Sequence, residues 1–227
     1  MRYDLLDKPD FGMVRVTFDQ PGEAMLAEAD AMVARDTGVE MKTSMQGGFL
    51  NAAKRKLLGG ESLFQNTFTA TQPGQTLWLA PAPEGDIEAL EMDGSHEVFL
   101  QSSAYMASAP TVTLDTKWGG AKGFFSGTGM FLLKCSGQGP LFFNCYGGIH
   151  AVDVGAAGYI CDTSHVVGFT SGLDYQVTKV GGIKSLFFSG EGLVCHFRGQ
   201  GRLWISTRNS AALASFLHPY RPVKRNG

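Results

Sequence analysis

The side chains best suited to catalysis or metal binding are scattered along this chain without a recognisable spacing. The five histidines follow no H-x-H or H-E-x-x-H pattern, and the acidic residues form no close cluster. A metal site or a pair of catalytic carboxylates needs such groups to converge. We therefore predict no metal site and no cofactor, with each histidine in a structural or surface role. The histidines are His96, His150, His165, His196 and His218.

The candidate nucleophiles lack the sequence context that would activate them. Ser126 and Ser189 follow two phenylalanines in F-F-S-G turns, and the chain contains neither a G-x-S-x-G elbow nor a G-x-x-x-x-G-K-[ST] loop. The four cysteines contain no C-x-x-C pair, so they are expected to be reduced, buried and small. We predict that the protein is not an enzyme. The cysteines are Cys135, Cys145, Cys161 and Cys195.

One basic cluster could bind a partner. Lys54, Arg55 and Lys56 lie in a segment of good helix formers that we predict to be a short helical insertion, residues 51–58. Apolar residues flank the cluster on both sides, so it could dock on anionic lipid headgroups or on an acidic protein. The alternative is a solvated helix face with no binding role, since three charges are few.

Three aromatic side chains fall at equivalent places in otherwise aliphatic runs. Trp78, Phe142 and Trp204 each stand between two aliphatic or aromatic neighbours, in L-W-L, L-F-F and L-W-I. Side chains alternate across a strand, so these aromatics share one face and their neighbours the other. One apolar face then lines a core, and the other packs between units or forms an exposed binding surface.

Those aromatic runs belong to a threefold internal repeat that accounts for the high glycine content. The 227 residues include 30 glycines, which is roughly twice the usual fraction of about 7%. Much of the excess recurs at fixed offsets, as double glycines and as G-x-G pairs between short apolar runs. The repeats span residues 12–80, 86–145 and 148–206, in one compact structural unit.

Short apolar or alternating segments between turn residues predict an all-β fold. Residues 14–18 alternate, whereas residues 130–133 and 141–143 are continuously apolar and are expected to be covered on both faces. Each repeat is predicted to be a small β-sandwich or jelly roll of about six strands. We expect the G-x-G pairs to supply positive φ where hairpins reverse.

The C-terminal region, residues 207–227, predicts a helix and a tail. Apolar residues at helical spacing occupy 206–218, with Asn209 or Ser210 as the cap and Pro219 as the stop. We expect this helix to pack on the sheets and a loose basic tail to follow it.

The glycine-rich block GGFLNAAKRKLLGGESLFQNTFTA, the paired G-x-G segments and the closing TRNSAALASFLHPYRP resemble the altered-inheritance-of-mitochondria protein 24 family. The resemblance extends from about Met13 to Pro222. It implies a fold like that of the tryptophan RNA-binding attenuator protein, a short double-stranded β-helix, with three such units forming a single-chain pseudo-trimer. Mitochondrial members are associated with the inner membrane. The family has no established functional residues to carry over.

Charge and hydropathy narrow the expected role. The net charge is −2 and the pI about 6.2, so nucleic acid is not favoured as a partner. We find no signal peptide, transit peptide or transmembrane segment, which predicts a bacterial cytoplasmic protein. The leading hypothesis is a non-enzymatic scaffold acting through protein–protein assembly or self-association. The alternatives are membrane-surface binding and, less favoured, RNA or small-ligand binding in grooves between repeats.

Overall fold

The computed structural model describes residues 1–45, 64–115, 131–179 and 193–221, and it confirms the all-β prediction. Eighteen strands and one short α-helix, α1, are described. The strands are β1 Arg2–Leu6, β2 Met13–Thr17, β3 Ala24–Glu28, β4 Met32–Arg35, β5 Val39–Met45, β6 Phe64–Ala70, β7 Thr76–Leu79, β8 Ile87–Asp93, β9 Val98–Gln101, β10 Tyr105–Ser108, β11 Val112–Asp115, β12 Leu132–Asn144, β13 Ile149–Val154, β14 Tyr159–Asp162, β15 Val166–Thr170, β16 Leu173–Lys179, β17 Leu193–Gly199 and β18 Gly201–Ser206, and α1 is Ser210–Leu217.

Burial follows the sequence pattern in the strands that carry it most clearly. In β2, Val14 and Val16 are buried while Met13, Arg15 and Thr17 are half-buried, as the alternation predicts. Residues 131–133 and 141–143 are buried without a break, so both faces of β12 are covered there.

Strand pairing follows one order in three successive stretches of the chain. Between residues 12 and 80, β7 pairs with β2 and β4, and β6 pairs with β3 and β5. Between 148 and 206, β18 pairs with β13 and β15, and β17 pairs with β14 and β16. Between 86 and 145 the single long strand β12 makes both sets of pairs, with β8 and β10 at one end and with β9 and β11 at the other.

Two sheets continue from one stretch into the next. Strand β10 pairs on its outer side with β3 of the preceding stretch, and β15 pairs in the same way with β9. Two other sheets do not continue into a neighbouring stretch. They are the four-stranded sheet β1-β2-β7-β4 and the three-stranded sheet β14-β17-β16.

The three buried clusters cross the same boundaries. One cluster combines β2, β3, β5, β6 and β7 with Ile87, Met106, Ala107 and Phe142 from the second stretch. Another joins the second stretch to Val167 and Trp204 of the third. The last lies in the third stretch and takes in Phe99 and Leu132 of the second. Each stretch is therefore held to its neighbour by shared sheets and by shared core.

The prediction that the G-x-G pairs are hairpin turns is wrong for those that the structure describes. Gly137 and Gly139 have φ of 120° and 112°, yet β12 runs through both without reversing. Gly199, with φ of 108°, ends β17, and β18 continues into a different sheet. The positive φ of these glycines bends the chain, so that the segments before and after the bend pair in different sheets. Glycine is commonly found at such sheet corners.

The C-terminal helix forms where expected but does not pack as expected. Asn209 caps it, accepting a hydrogen bond from the Ala212 amide at 2.7 Å. No residue of α1 is buried, and Phe216 is among its exposed large apolar side chains. The expectation that this helix packs on the sheets is therefore wrong. Most of the basic tail, residues 222–225, lies outside the described residues.

Candidate functional site at two free sheet edges

The basic cluster of Lys54, Arg55 and Lys56 lies outside the described residues, as does the whole predicted insertion 51–58. The five histidines are described but are not grouped. In the described ranges, no three His, Cys, Asp or Glu side chains are placed to hold a metal ion. His165 has a structural setting, with Nδ1 2.8 Å from the Ser206 carbonyl oxygen and Nε2 3.2 Å from the Asn209 amide nitrogen.

The three equivalent aromatics have different surroundings. Phe142 is buried in the cluster that contains the first stretch, and the ring of Tyr3 meets it edge-on at 4.8 Å. Trp204 is buried against the second stretch, with Phe143 at 5.2 Å. Trp78 is half-buried, and Arg15 lies over its ring at 5.5 Å from the centroid. Phe142 and Trp204 thus pack between successive stretches, while Trp78 faces outward.

Strand β4 is exposed along its whole length, whereas the strands that pair in the same way are buried. Each of β4, β10 and β15 pairs with its inner neighbour through a β-bulge after the first residue. Every residue of β10 and the first four of β15 are buried, because β3 and β9 cover their outer edges. No described strand covers β4, which leaves Met32 39% and Val33 57% exposed.

Strand β14 is the counterpart at the other end of the chain. It pairs with β17 as β3 pairs with β6 and as β9 pairs with β12. The outer edges of β3 and β9 are each paired with the following stretch, but no described strand pairs with the outer edge of β14. Tyr159 and Ile160 are consequently 38% and 59% exposed. Strands β1, β5, β13 and β16 also end sheets, but β4 and β14 are the two whose counterparts in the other stretches are covered, and we call them the two free edges.

The free edges carry neither lysine nor proline, two residues that often protect a sheet edge from pairing, although both strands are short and β4 contains the bulge described above. Natural edge strands are blunted with lysine, proline or inward-pointing charge. Strand β4 reads M-V-A-R and β14 reads Y-I-C-D, so each offers apolar side chains and only a single charge at its end. An exposed apolar strand with unpaired backbone groups is suited to binding another polypeptide strand.

A cavity of about 350 Å³, lined by apolar surface together with several polar side chains, lies where β9, β12 and β18 meet the start of α1. Asn144, only 1% exposed, donates to the Ala104 carbonyl at 3.2 Å, but its Oδ1 has no hydrogen-bond donor among the described residues. Gln101 donates to the Thr163 carbonyl at 3.0 Å, and the Arg208 side chain also lines the space.

The four cysteine side chains pack in the protein interior and are poorly placed to react. All four cysteines are buried and unpaired, and burial raises the pKa of each thiol to about 12. The thiolate is the nucleophile, so these thiols are almost entirely protonated and unreactive at pH 8. We expect no maleimide adduct on the native protein at pH 8 and four adducts after unfolding, as counted by intact mass. Rapid labelling of the native protein would contradict this assignment.

Sequence reasoning missed the free edges and Asn144. Nothing in M-V-A-R or Y-I-C-D distinguishes an uncovered strand from the covered strands Y-M-A-S and V-F-L-Q. Strand β4 is exposed because no described stretch precedes the first one to cover it, and β14 is exposed because no described stretch follows the third. Asn144 did leave a signal, as a polar residue directly after the continuously apolar run 141–143. Among the described residues, no helix is long and apolar enough to cross a membrane.

These features define an all-β protein in which successive stretches of the chain share sheets and in which the four-stranded and the three-stranded sheets each have one exposed edge strand, β4 and β14. The chain belongs to the mitochondrial biogenesis AIM24 family, whose model matches residues 3–208. It is 28% identical to an uncharacterised protein of Streptococcus pyogenes serotype M6, over 100% of this chain and 93% of that one. A crystal structure of a Streptococcus pyogenes protein is similar, with a TM-score of 0.77, 25% identity and coverage of 97% and 99%.

Proposed function

We propose that this protein is a non-enzymatic assembly protein that binds polypeptide partners by adding their strands to its two free edges. The single observation that carries the proposal is the exposure of β4 and β14, at places where the corresponding strands are covered. Strand addition takes its affinity from main-chain hydrogen bonds and its specificity from alternate side chains. Met32 and Val33 on β4 and Tyr159 and Ile160 on β14 are the exposed apolar side chains that a bound strand would contact.

The proposed body consists of three copies of one sandwich unit, residues 12–80, 86–145 and 148–206, arranged as a single-chain pseudo-trimer like the attenuator protein but without β4–β14 pairing between the first and third copies in the described residues. The recurrent pairing order and the repeated bulge support this organisation. The proposal places the protein in a bacterial cytoplasm, where partners would reach both free edges.

Two alternatives rest on other parts of the chain. Binding to anionic lipid through Lys54, Arg55 and Lys56 stays a prediction from the sequence. Small-ligand binding between units would use the cavity beside Asn144, whose Oδ1 is available to accept a hydrogen bond. The free edges favour assembly over both, because each exposed strand edge offers a row of backbone donors and acceptors with which another polypeptide strand can pair.

A thiol footprint at the free edges tests the proposal. Val33→Cys and Ile160→Cys each place one exposed thiol on a free edge, over a background of four buried cysteines. We expect maleimide to label both variants quickly in buffer when the protein is at nanomolar concentration. We expect the labelling rate to fall at least tenfold when each variant, carrying an affinity tag for recovery, is incubated in native extract of the cells that make the protein, because a bound strand would cover the edge.

Asp174→Cys is the matched control, since Asp174 is exposed on β16, the opposite edge of the sheet that contains β14. Its labelling rate should be the same in buffer and in extract. Equal rates for Val33→Cys and Ile160→Cys in buffer and in extract, at any concentration of the chain, would refute binding at the free edges.

A further inference from the structure

The two free edges are the two halves of a contact that the chain already makes twice. Strand β3 of the first stretch pairs with β10 of the second, and β9 of the second pairs with β15 of the third. The same series continued once more would pair β14 of the third stretch with a strand in the position of β4. Within the described residues β14 and β4 do not pair with each other, so each end retains an unfilled half.

We propose that β14 of one copy of this chain pairs antiparallel with β4 of a second copy, giving head-to-tail assembly. This rests on the proposed function and names the partner as the chain itself. The contact joins two different surfaces, so it is heterologous and leaves a free edge at each end of a dimer. Assembly therefore continues until the copies close into a ring, or it grows as a filament.

The two internal contacts fix the register of the proposed one. Ala27 lies opposite Ala107, and Leu100 lies opposite Gly168. Counting from the shared bulge and from the paired neighbours, the corresponding residues on the free edges are Cys161 and Ala34. The next pair outward is then Ile160 opposite Arg35.

Residue size at the first of these positions agrees with the register. The outer strand carries a small residue there in all three places: Ala107, Gly168 and Ala34. At Gly168 the reason is visible, because a Cβ would lie 2.7 Å from the carbonyl oxygen of Phe99 on the neighbouring strand. Ala34 is small like Ala107, which pairs with Ala27 at the first of these contacts, although no described strand lies beside Ala34.

The proposal concerns the strand edges and not the sheet face beside them. Trp204 and Phe142 lie opposite Ala151 and Ala89, which leave room for a packed neighbour. Trp78 lies opposite Arg15, which bonds to Asp4 at 2.9 Å and covers the ring. This face therefore stays hydrated, and the contact is made by backbone pairing together with Met32, Val33, Tyr159 and Ile160.

Single-edge variants test the head-to-tail geometry by mass. Val33→Lys blocks only β4, and Ile160→Lys blocks only β14. At concentrations low enough for the wild-type chain to be monomeric too, neither variant should have a lower Tm than wild type, because both residues are exposed in the isolated chain. We expect the wild-type chain to scatter light at a multiple of 24.4 kDa and each variant to be monomeric. Mixed one to one, the variants should form a dimer and nothing larger, since each supplies the edge that the other lacks.

A cysteine pair tests the register. Residues directly opposite in an antiparallel sheet have Cα atoms about 4.5–5.5 Å apart, within the range that a disulfide spans. At the corresponding internal pair, the rings of Phe99 and Phe169 are 5.3 Å apart. We expect Arg35→Cys mixed with Ile160→Cys to give an intermolecular disulfide under mild oxidation, at least tenfold more than either variant alone. Asp174→Cys in place of Ile160→Cys is the control.

The outcomes separate the partner from the proposed function. A wild-type monomer with no cross-link above the Asp174→Cys level overturns self-assembly, while edge thiols that are protected in native extract would still support binding of another polypeptide. A dimer formed by Val33→Lys alone would also overturn the proposal, because it would mean that β14 pairs with itself. A disulfide within one chain carrying both Arg35→Cys and Ile160→Cys would overturn it in favour of closure inside the chain.

Discussion

Trp204→Ala should destabilise the protein far more than Trp78→Ala, although the two residues occupy corresponding places in the sequence. Trp204 is 3% exposed, and its ring packs against Phe143 at 5.2 Å between the second and third stretches. Truncating a buried tryptophan costs about 3–5 kcal/mol, because the transfer free energy is lost and a cavity remains. In a chain of this size the Tm should fall by about 10 °C.

The control follows from the same geometry. Trp78 is half-buried and keeps its ring under Arg15, so its removal gives up partial burial and a cation–π contact, about 1–2 kcal/mol together. Thermal unfolding followed by circular dichroism measures both variants. Losses of equal size would show that Trp204 does not hold the junction between the stretches.

Local features of this fold were predictable because they depend on residues close together in sequence. The alternation in β2 placed Val14 and Val16 inward, and the cap at Asn209 marked where α1 begins. The apolar runs that contain residues 131–133 and 141–143 predicted strands covered on both faces, as observed. In each case the side chain's own neighbours determine the outcome.

The sharing of sheets was not predictable, because it depends on which stretch lies beside which. The same G-x-G signal that favours a hairpin also permits a bent strand, and at Gly137 only the tertiary pairing with β8, β9, β10 and β11 decides between them. The helix α1 is an analogous case. Its spacing of apolar residues predicts a buried stripe, yet none of its residues is buried.

The candidate site escaped prediction for the same reason. A strand such as M-V-A-R is core if a neighbouring stretch covers it and surface if none does. Its composition is suited to being covered, and its place in the first stretch leaves it exposed. An apolar strand in an uncovered position can be recognised only when both its sequence and its place in the fold are known. That combination is the reason for proposing a partner.

Gly168 gives the second prediction of large effect, at the contact that the free edges are proposed to reproduce. A Cβ at this residue would lie 2.6 Å from Leu100 Cδ2 and 2.7 Å from the Phe99 carbonyl oxygen. Because one of these atoms belongs to the backbone of β9, the strands must separate to admit a side chain. We expect Gly168→Val to cost about 3 kcal/mol and Gly168→Ala about half of that.

Hydrogen exchange locates the damage. The β9 and β15 amides that bond across the junction should lose protection in Gly168→Val, while those between β3 and β6 keep theirs. Gly155→Ala is the matched control, because its Cβ would meet nothing within 4 Å, and its stability should stay within about 0.5 kcal/mol of wild type. If Gly168→Val folded with wild-type stability, the close approach of β9 and β15 would not stabilise this junction. The small residue at Ala34 would then be no argument for a similar contact at the free edge.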